Sequence, residues 1–591
     1  MLEERVSEFA GWWQDDGAVH THAPAWAQVR ADVQQAFPSP YSSTSNDPLA
    51  RLVGISIQLL DNLKPTAPGR AFLGNDPSTP DYSRATQATL PEKLQLLDRV
   101  VVESAQLFQG MPQWNHPLTM PNVIPPANLA AIVAAMMTEV FSPNIIEGEY
   151  SWNVEFSELE SAAMVAKLIG WDAETAGGLY TFGGSGCYLY GLKYALTQVL
   201  GAQSRHGGIR TNGKLLVSQQ GHYCKLNATD WTGLGMDNII AIETDPDTNA
   251  MSADHLEWVM SKLYNQNIPV ISVVCTIGTT DAFAIDPVAK ARALIERYPN
   301  PPGYGKAFLY CDAVIGWSWL TFAKYDFQAN PLGFSPEVLT AIAANYTAIQ
   351  DVIYADAIGC DFHKVGWAPY NCSLFMMKDY AAFQNLMRRP GSDYLQERTS
   401  YNPGLYTLEV SRSAAYSMAG WATLKFLGYE GLQAILGGIL EIQTHLRHSL
   451  TLEPTTVCVN ADDNGFVTLF RVYPSGVDAT AQYQRELTDP AARDQLYANN
   501  QLQEAIANKL WNWFRDGQLH YGEYAPYISY STGFRPTEYN ADGSDPKAVI
   551  YALKAFPMNL NITPASMATL LRLALAARTE IEAETSPCAG V

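Results

Sequence analysis

Basic side chains are scarce. Lysine and arginine number 38 against 59 aspartates and glutamates, a formal charge of −21. A chain so acidic is repelled by nucleic-acid phosphates and by anionic bilayers, so neither is expected as a partner. Cysteine is also sparse. The eight (187, 224, 275, 311, 360, 372, 458 and 588) are spread along the chain, without a C-x-x-C pair or a cluster that suggests metal or a disulfide framework. Reduced thiols in a cytoplasmic protein are the expectation. No uninterrupted apolar run reaches the length of a membrane span, and Met1-Leu2-Glu3-Glu4-Arg5 is acidic where a signal segment would be basic and then apolar. Internal repeats and low-complexity tracts are missing too.

What the chain does have is length and apolar content. With 591 residues, 47% of them hydrophobic, it exceeds what one core serves, so two or more domains are expected. Residues 1–125 mix helical stretches with breaks such as Pro38-Ser39-Pro40 and Pro77-Ser78-Thr79-Pro80 and read as an N-terminal arm. Further on, helical patterns at Asn128–Phe141 and Glu158–Leu168 alternate with apolar runs at Lys214–Ser218, Ile239–Ile242, Pro269–Cys275 and Ala307–Cys311. This alternation predicts a large α/β domain, 126–430, with a mainly parallel sheet whose ligands sit at the carboxyl ends of the strands. A helix over 412–428 leads to a smaller C-terminal α/β domain, 431–591, in which Gly465–Tyr473 and Lys547–Ala555 alternate as strands.

Several residues carry chemistry. Lys364, in Asp361-Phe362-His363-Lys364, lies in an apolar, low-charge context and could supply an amine for imine formation with an aldehyde cofactor. Asp312 ends the apolar run Ala307–Cys311, where an unpaired carboxylate is costly to bury. A protonated pyridine nitrogen would satisfy it, as would a capping role on the next element. Gly183-Gly184-Ser185-Gly186-Cys187 precedes a helical pattern, Leu189–Leu200, and its backbone N–H groups could face a phosphate. Gly278-Thr279-Thr280 is a hydroxyl-bearing turn after a strand. His222, also after a strand, could stack on a planar ring or be a satisfied structural histidine. Lysine, acid and glycine turn together suggest pyridoxal phosphate.

In order and context these motifs resemble the group II pyridoxal-phosphate-dependent amino-acid decarboxylases, the glutamate, aromatic-amino-acid and tyrosine decarboxylase family. The resemblance runs from His116-Pro117 to Leu427-Gly428 through Thr181–Cys187, Gly221-His222-Tyr223, Gly278-Thr279-Thr280 with Asp286-Pro287, Asp312-Ala313 and Asp361–Lys364. It implies the aspartate-aminotransferase fold type I: a large domain with a mainly parallel seven-stranded sheet, a smaller C-terminal α/β domain and an N-terminal arm. It implies decarboxylation of an L-amino acid to an amine, an aromatic or acidic side chain being the leading classes, and a homodimer with sites completed by the neighbouring subunit. Lys364 would be the cofactor-bearing lysine, Asp312 the partner of the pyridine nitrogen and His222 the residue stacked on the ring. Ser185, Gly186, Cys187 and His363 would lie about the phosphate, with Thr280, Val314 and Asp361 close to the cofactor. Tyr401, eleven residues before Arg412, matches the loop tyrosine that protonates the substrate carbon, and in the shared site it would act in the neighbouring subunit's cavity.

The chain departs from the family pattern at Tyr310-Cys311, Val314, Phe362, Leu118-Thr119-Met120 and Asn153-Val154. The last two stretches line the substrate side of family pockets, so no relative's specificity transfers. Trp317, Trp319, Trp367 and Tyr370 surround the motifs and would suit either an aromatic substrate or core packing. Two other activities fit the same residues less well: oxidative decarboxylation to an aldehyde, and a silent relative that binds a protein partner.

Overall fold

The computed structural model describes residues 25–42, 48–75, 79–389, 396–541 and 543–585. Met1–Arg5, Pro77-Ser78 of the second proline break and Cys588 lie outside them. The chain forms two compact units, residues 1–68 with 72–111, and residues 69–71 with 112–591. The first contains the helices Ala25–Gln34, Pro48–Asp61 and Leu97–Gln106, the last two joined by an exposed Arg51–Asp98 ion pair at 2.9 Å.

The second unit is built on a seven-stranded sheet: β1 (Gly177–Phe182), β2 (Lys214–Ser218), β3 (Ile239–Ile242), β4 (Val270–Thr276), β5 (Phe308–Asp312), β6 (Ala357–Asp361) and β7 (Cys372–Met377). Their order is β1-β7-β6-β5-β4-β2-β3, and only β7 runs against its neighbours. Every residue of β4 and β5 is buried, as expected of parallel strands covered on both faces. Alternate side chains feed opposite layers: Leu216, Val273 and Leu309 join one apolar cluster, and Leu215, Val274 and Phe308 the other. Asn128 and Ser252 cap the helices Leu129–Phe141 and Ala253–Asn265 by accepting from the backbone N–H three residues on.

The four apolar runs identified in the sequence are strands within one residue of their expected bounds. β1, β6 and β7 are not among the expected runs: β1 opens on two glycines and β6 holds Gly359 and Asp361, whereas β7 is an apolar run like the others. The helix expected to end at 428 continues as Ala415–Leu452, broken by Gly428 at φ 56°. The glycine turn is also different: Gly184 already starts the helix Gly184–Leu200, with Gly183 at φ 97° before it.

Beyond the long helix, β8 (Thr456–Cys458), β9 (Thr468–Val472), β12 (Ser529–Ser531) and β13 (Ala552–Ala555) form an antiparallel sheet in the order β12-β13-β9-β8, beside a hairpin of β10 (Leu519–His520) and β11 (Glu523–Tyr524). Contacts do not divide the chain at 125 or 430. Residues 112–125 are fastened to the C-terminal part: the Met120 N–H donates to the Tyr527 carbonyl at 2.9 Å, and Asn559 Nδ2 to the His116 carbonyl at 3.1 Å.

Candidate active site

Parallel strands point their carboxyl ends to one edge of a sheet, so whatever follows them meets there. β6, β5, β4 and β2 are successive neighbours. The ends of these strands therefore bring Asp361, Asp312, Thr276 and His222 into one row. Lys364 follows β6 on a single turn of helix, Phe362–Val365. Together with Thr280, Val314 and Tyr370, the residues Thr276, Asp312, His222 and Lys364 line a cavity of about 200 Å³. A larger hollow of about 360 Å³ opens between Tyr190, Lys193, Trp231 and Tyr406, but none of the expected site residues lines it.

Lys364 Nζ lies 3.0 Å from Asp361 Oδ2. Burial pulls its pKa down, but the Asp361 and Asp312 carboxylates outweigh this and leave it raised, so the amine is held as an ammonium. Asp361 is itself buried, accepts from Ser373 Oγ at 2.6 Å, and has His363 Nε2 at 3.4 Å. His363 Nδ1 lies 3.0 Å from the Cys372 carbonyl, and its ring meets Tyr370 with centroids 4.3 Å apart.

Asp312 shows the mismatch that a ligand would resolve. It is 4% exposed, and its Oδ1 has no hydrogen-bond partner among the described residues. Burial, opposed by Lys364, pushes its pKa up to about 6. A buried carboxylate facing a cavity calls for a cation. His222 is driven the other way: burial and then Lys364 lower it to about 4, so it is a neutral imidazole, and its Nδ1 accepts from the Cys224 N–H at 3.2 Å. A neutral, half-buried ring at the cavity wall suits a planar partner. Gly184 completes the cradle, since a β-carbon there would lie 3.0 Å from Val314 Cγ1 and 3.1 Å from Asp361 Oδ2. The residues present thus fit pyridoxal phosphate.

Other expected residues stand elsewhere. Ser185 is exposed and does not line the cavity, and Gly186 is buried against Thr181. Cys187, expected near the phosphate, is instead fully buried in an apolar cluster with Leu179 and Tyr310, and its N–H donates to the Gly183 carbonyl at 3.2 Å. Tyr401 is likewise not brought to the cavity. Its hydroxyl donates to Glu158, whose carboxylate also holds Arg412 at 2.8 Å, all three side chains being buried. Trp317 and Trp319 are core residues, and Trp367 is buried with its Nε1 donating to the Met558 carbonyl.

Sequence reasoning missed Thr276, a buried residue that lines the cavity beside Asp312 in register. Its position one residue beyond an apolar run, like that of Asp312, was the available signal. Gln220, Asn122, Val123 and Ile124, also in the wall, carry none.

The Pyridoxal-dependent decarboxylase conserved domain matches residues 80–321, a span that holds Ser185, His222, Thr280 and Asp312 but ends before Lys364. The L-tyrosine decarboxylase of Enterococcus faecium is 28% identical over 276 residues, 43% of this chain and 44% of that protein. The human acidic amino acid decarboxylase GADL1 is 23% identical over 343 residues, 56% of this chain and 59% of that protein. The chain thus spans less than two thirds of the length of these relatives. Among solved structures, Oryza sativa TDC with PLP and tryptamine superposes with a TM-score of 0.70 at 16% identity, covering 92% of this chain and 99% of that one. The fold is that of the fold type I pyridoxal enzymes.

Proposed function

We propose, from the premise that the chain belongs to the pyridoxal-dependent decarboxylase family, that it removes the α-carboxyl group of an L-amino acid as carbon dioxide and releases the amine. The observation that carries this reading is the convergence of Lys364, the Asp312 carboxylate with its Oδ1 lacking a hydrogen-bond partner among the described residues, and the neutral His222 on one cavity. When bound, pyridoxal 5′-phosphate supplies an aldehyde that captures the substrate amine and a ring that withdraws electrons from the α-carbon. Asp312 would hold the ring nitrogen protonated, His222 would lie against the ring, and His363 with Gly184 at the start of the helix Gly184–Leu200 would face the phosphate. Asp361 orients Lys364 Nζ through the 3.0 Å ion pair. Lys364, in the cavity wall, would hold the cofactor through its amine and could hold or deliver a proton there.

A neutral side chain is favoured over an acidic one. No arginine lines the cavity among the described residues. Its wall offers Val123, Ile124 and Tyr370 with the amides of Asn122 and Gln220. We also propose a homodimer: Phe141, Trp152 and Trp231 are 86%, 67% and 81% exposed, an apolar burden that a second copy would cover. The seven described cysteines are free, which supports a reducing, cytoplasmic setting.

The test is the visible absorption spectrum of purified wild type and Lys364→Ala, with a screen of amino acids for carbon dioxide release. A Lys364-dependent band with amine formation is expected. A protein that binds no pyridoxal phosphate, or that binds it and releases aldehyde and peroxide, would refute the proposal.

A further inference from the structure

The turn that carries Thr280 is closed at its base by its own backbone: Ile277 bridges Ile285, and the Gly278 and Thr279 N–H groups both donate to the Ala284 carbonyl at 3.0 Å. Its tip is held by something else. Asp281, the residue after Thr280, places Oδ1 2.9 Å from Lys554 Nζ on β13 and accepts through Oδ2 from Ser531 Oγ on β12 at 2.6 Å. β12 and β13 are paired neighbours, so one carboxylate bridges two strands of the C-terminal sheet. The pair is largely withdrawn from water, with side-chain exposures of 11% for Lys554 and 19% for Asp281. An ion pair this desolvated gains little over apolar packing, but its geometry is specific. A second cavity-wall residue is fastened to the same sheet: Gln220 Nε2 donates to the Phe534 carbonyl, three residues past β12, at 2.9 Å.

We propose that Asp281 is a positioning residue. Shared between Lys554 and Ser531, its carboxylate fixes the tip of the turn so that Thr280 stays in the cavity wall, and the C-terminal sheet thereby sets the shape of the cofactor and substrate cavity. The inference rests on the decarboxylase reading of that cavity, and the experiment separates the two.

Holoenzyme is prepared as wild type, Asp281→Asn, Lys554→Met, the double variant, Lys554→Arg and Ser531→Ala. Release of pyridoxal phosphate on dilution is followed by absorbance, with KM and kcat for the substrate found in the screen. A wild type without a cofactor band overturns the decarboxylase reading and this inference with it. Given a band, Asp281→Asn and Lys554→Met should each speed release about tenfold and raise KM similarly, with kcat within about twofold, as expected of a misplaced wall rather than a lost reacting group. The double variant should be no worse than the worse single variant, the signature of one shared interaction. Lys554→Arg, which keeps the charge, should restore most of the wild-type behaviour. Ser531→Ala removes one bond only and should show a smaller effect in the same direction if the charge variants fail to fold. Release rates within twofold of wild type, additive losses in the double variant, or an arginine no better than methionine would each overturn the proposal.

Discussion

Replacing Asp312 with asparagine should stabilise the cofactor-free protein while weakening its hold on the cofactor. The carboxyl titrates at about 6 in the folded chain because burial disfavours its charge, against 3.8 when free. At about 1.36 kcal/mol per pH unit, the ionised group costs the folded state about 3 kcal/mol. The folded value lies above the free one, so the folded chain binds the proton more tightly. The penalty is absent below pH 3.8, grows between 3.8 and about 6, and is complete above that. Asparagine never ionises, though its buried amide has donors to satisfy, so a net gain of about 1–3 kcal/mol at pH 8 is expected. At pH 4 the two proteins should unfold alike. With cofactor bound the order reverses, since a cationic ring repays the buried anion in wild type and meets no charge in the variant. A loss of about 3 kcal/mol is roughly a hundredfold in affinity. Urea unfolding of both cofactor-free proteins from pH 4 to 8, with cofactor titrations by absorbance, measures each term. A variant no more stable at pH 8, or a difference that does not change with pH, would refute the reasoning.

The remaining predictions address the other groups of the site. Lys364→Ala should lose the visible band and carbon dioxide release, and because it leaves the buried Asp361 carboxylate without its ion-pair partner it should also lower the melting temperature of the cofactor-free form; residual turnover above background would remove Lys364 from the chemistry. Tyr401→Phe removes the bond to the buried Glu158 and should lower stability by about 1–2 kcal/mol in urea unfolding. Its carbon dioxide release should stay within threefold of wild type. A hundredfold fall, or aldehyde in place of amine, would show instead that the hydroxyl reaches the reacting carbon. His222 has a folded pKa depressed from 6.5 to about 4, so it contributes stability that is present above 6.5 and lost as pH falls towards 4. His222→Gln should therefore be less acid-labile than wild type over that window, as read by unfolding at a series of pH values.

The parts of the fold legible in sequence were those where burial dictates composition. β4 and β5 are covered on both faces and read as unbroken apolar runs. β6 and β7 are as deeply buried, and β1 is too except at Phe182, but the glycines in β1 and β6 serve close contacts: a β-carbon on Gly359 would meet Tyr310 Oη within 2.4 Å. Local propensity hides a strand whose residues answer to neighbours rather than to the chain. In the site, Lys364, Asp312 and His222 were found because charged or polar groups at strand ends need a reason to be there. Cys187 and Tyr401 lie away from the cavity of their own chain, since spacing gives position along the chain and not the direction of a side chain. The helix Gly184–Leu200 packs Cys187 into the apolar layer, and Glu158 with Arg412 captures the Tyr401 hydroxyl.

The bonds that tie the cavity wall to residues 527–559 also bear on the order of events during synthesis. Chains emerge amino terminus first, and β2, β4, β5 and Lys364 are all made well before the strands that fasten their loops. Residues 112–121 wait longest, for they are held by Tyr527, Phe556 and Asn559. A nascent chain can form most of the central sheet while its cavity is still open on one side. The cavity wall is therefore fastened on that side only once residues 527–559 have been made, and a chain cut short before them would carry Lys364, Asp312 and His222 without the bonds that hold their loops in place.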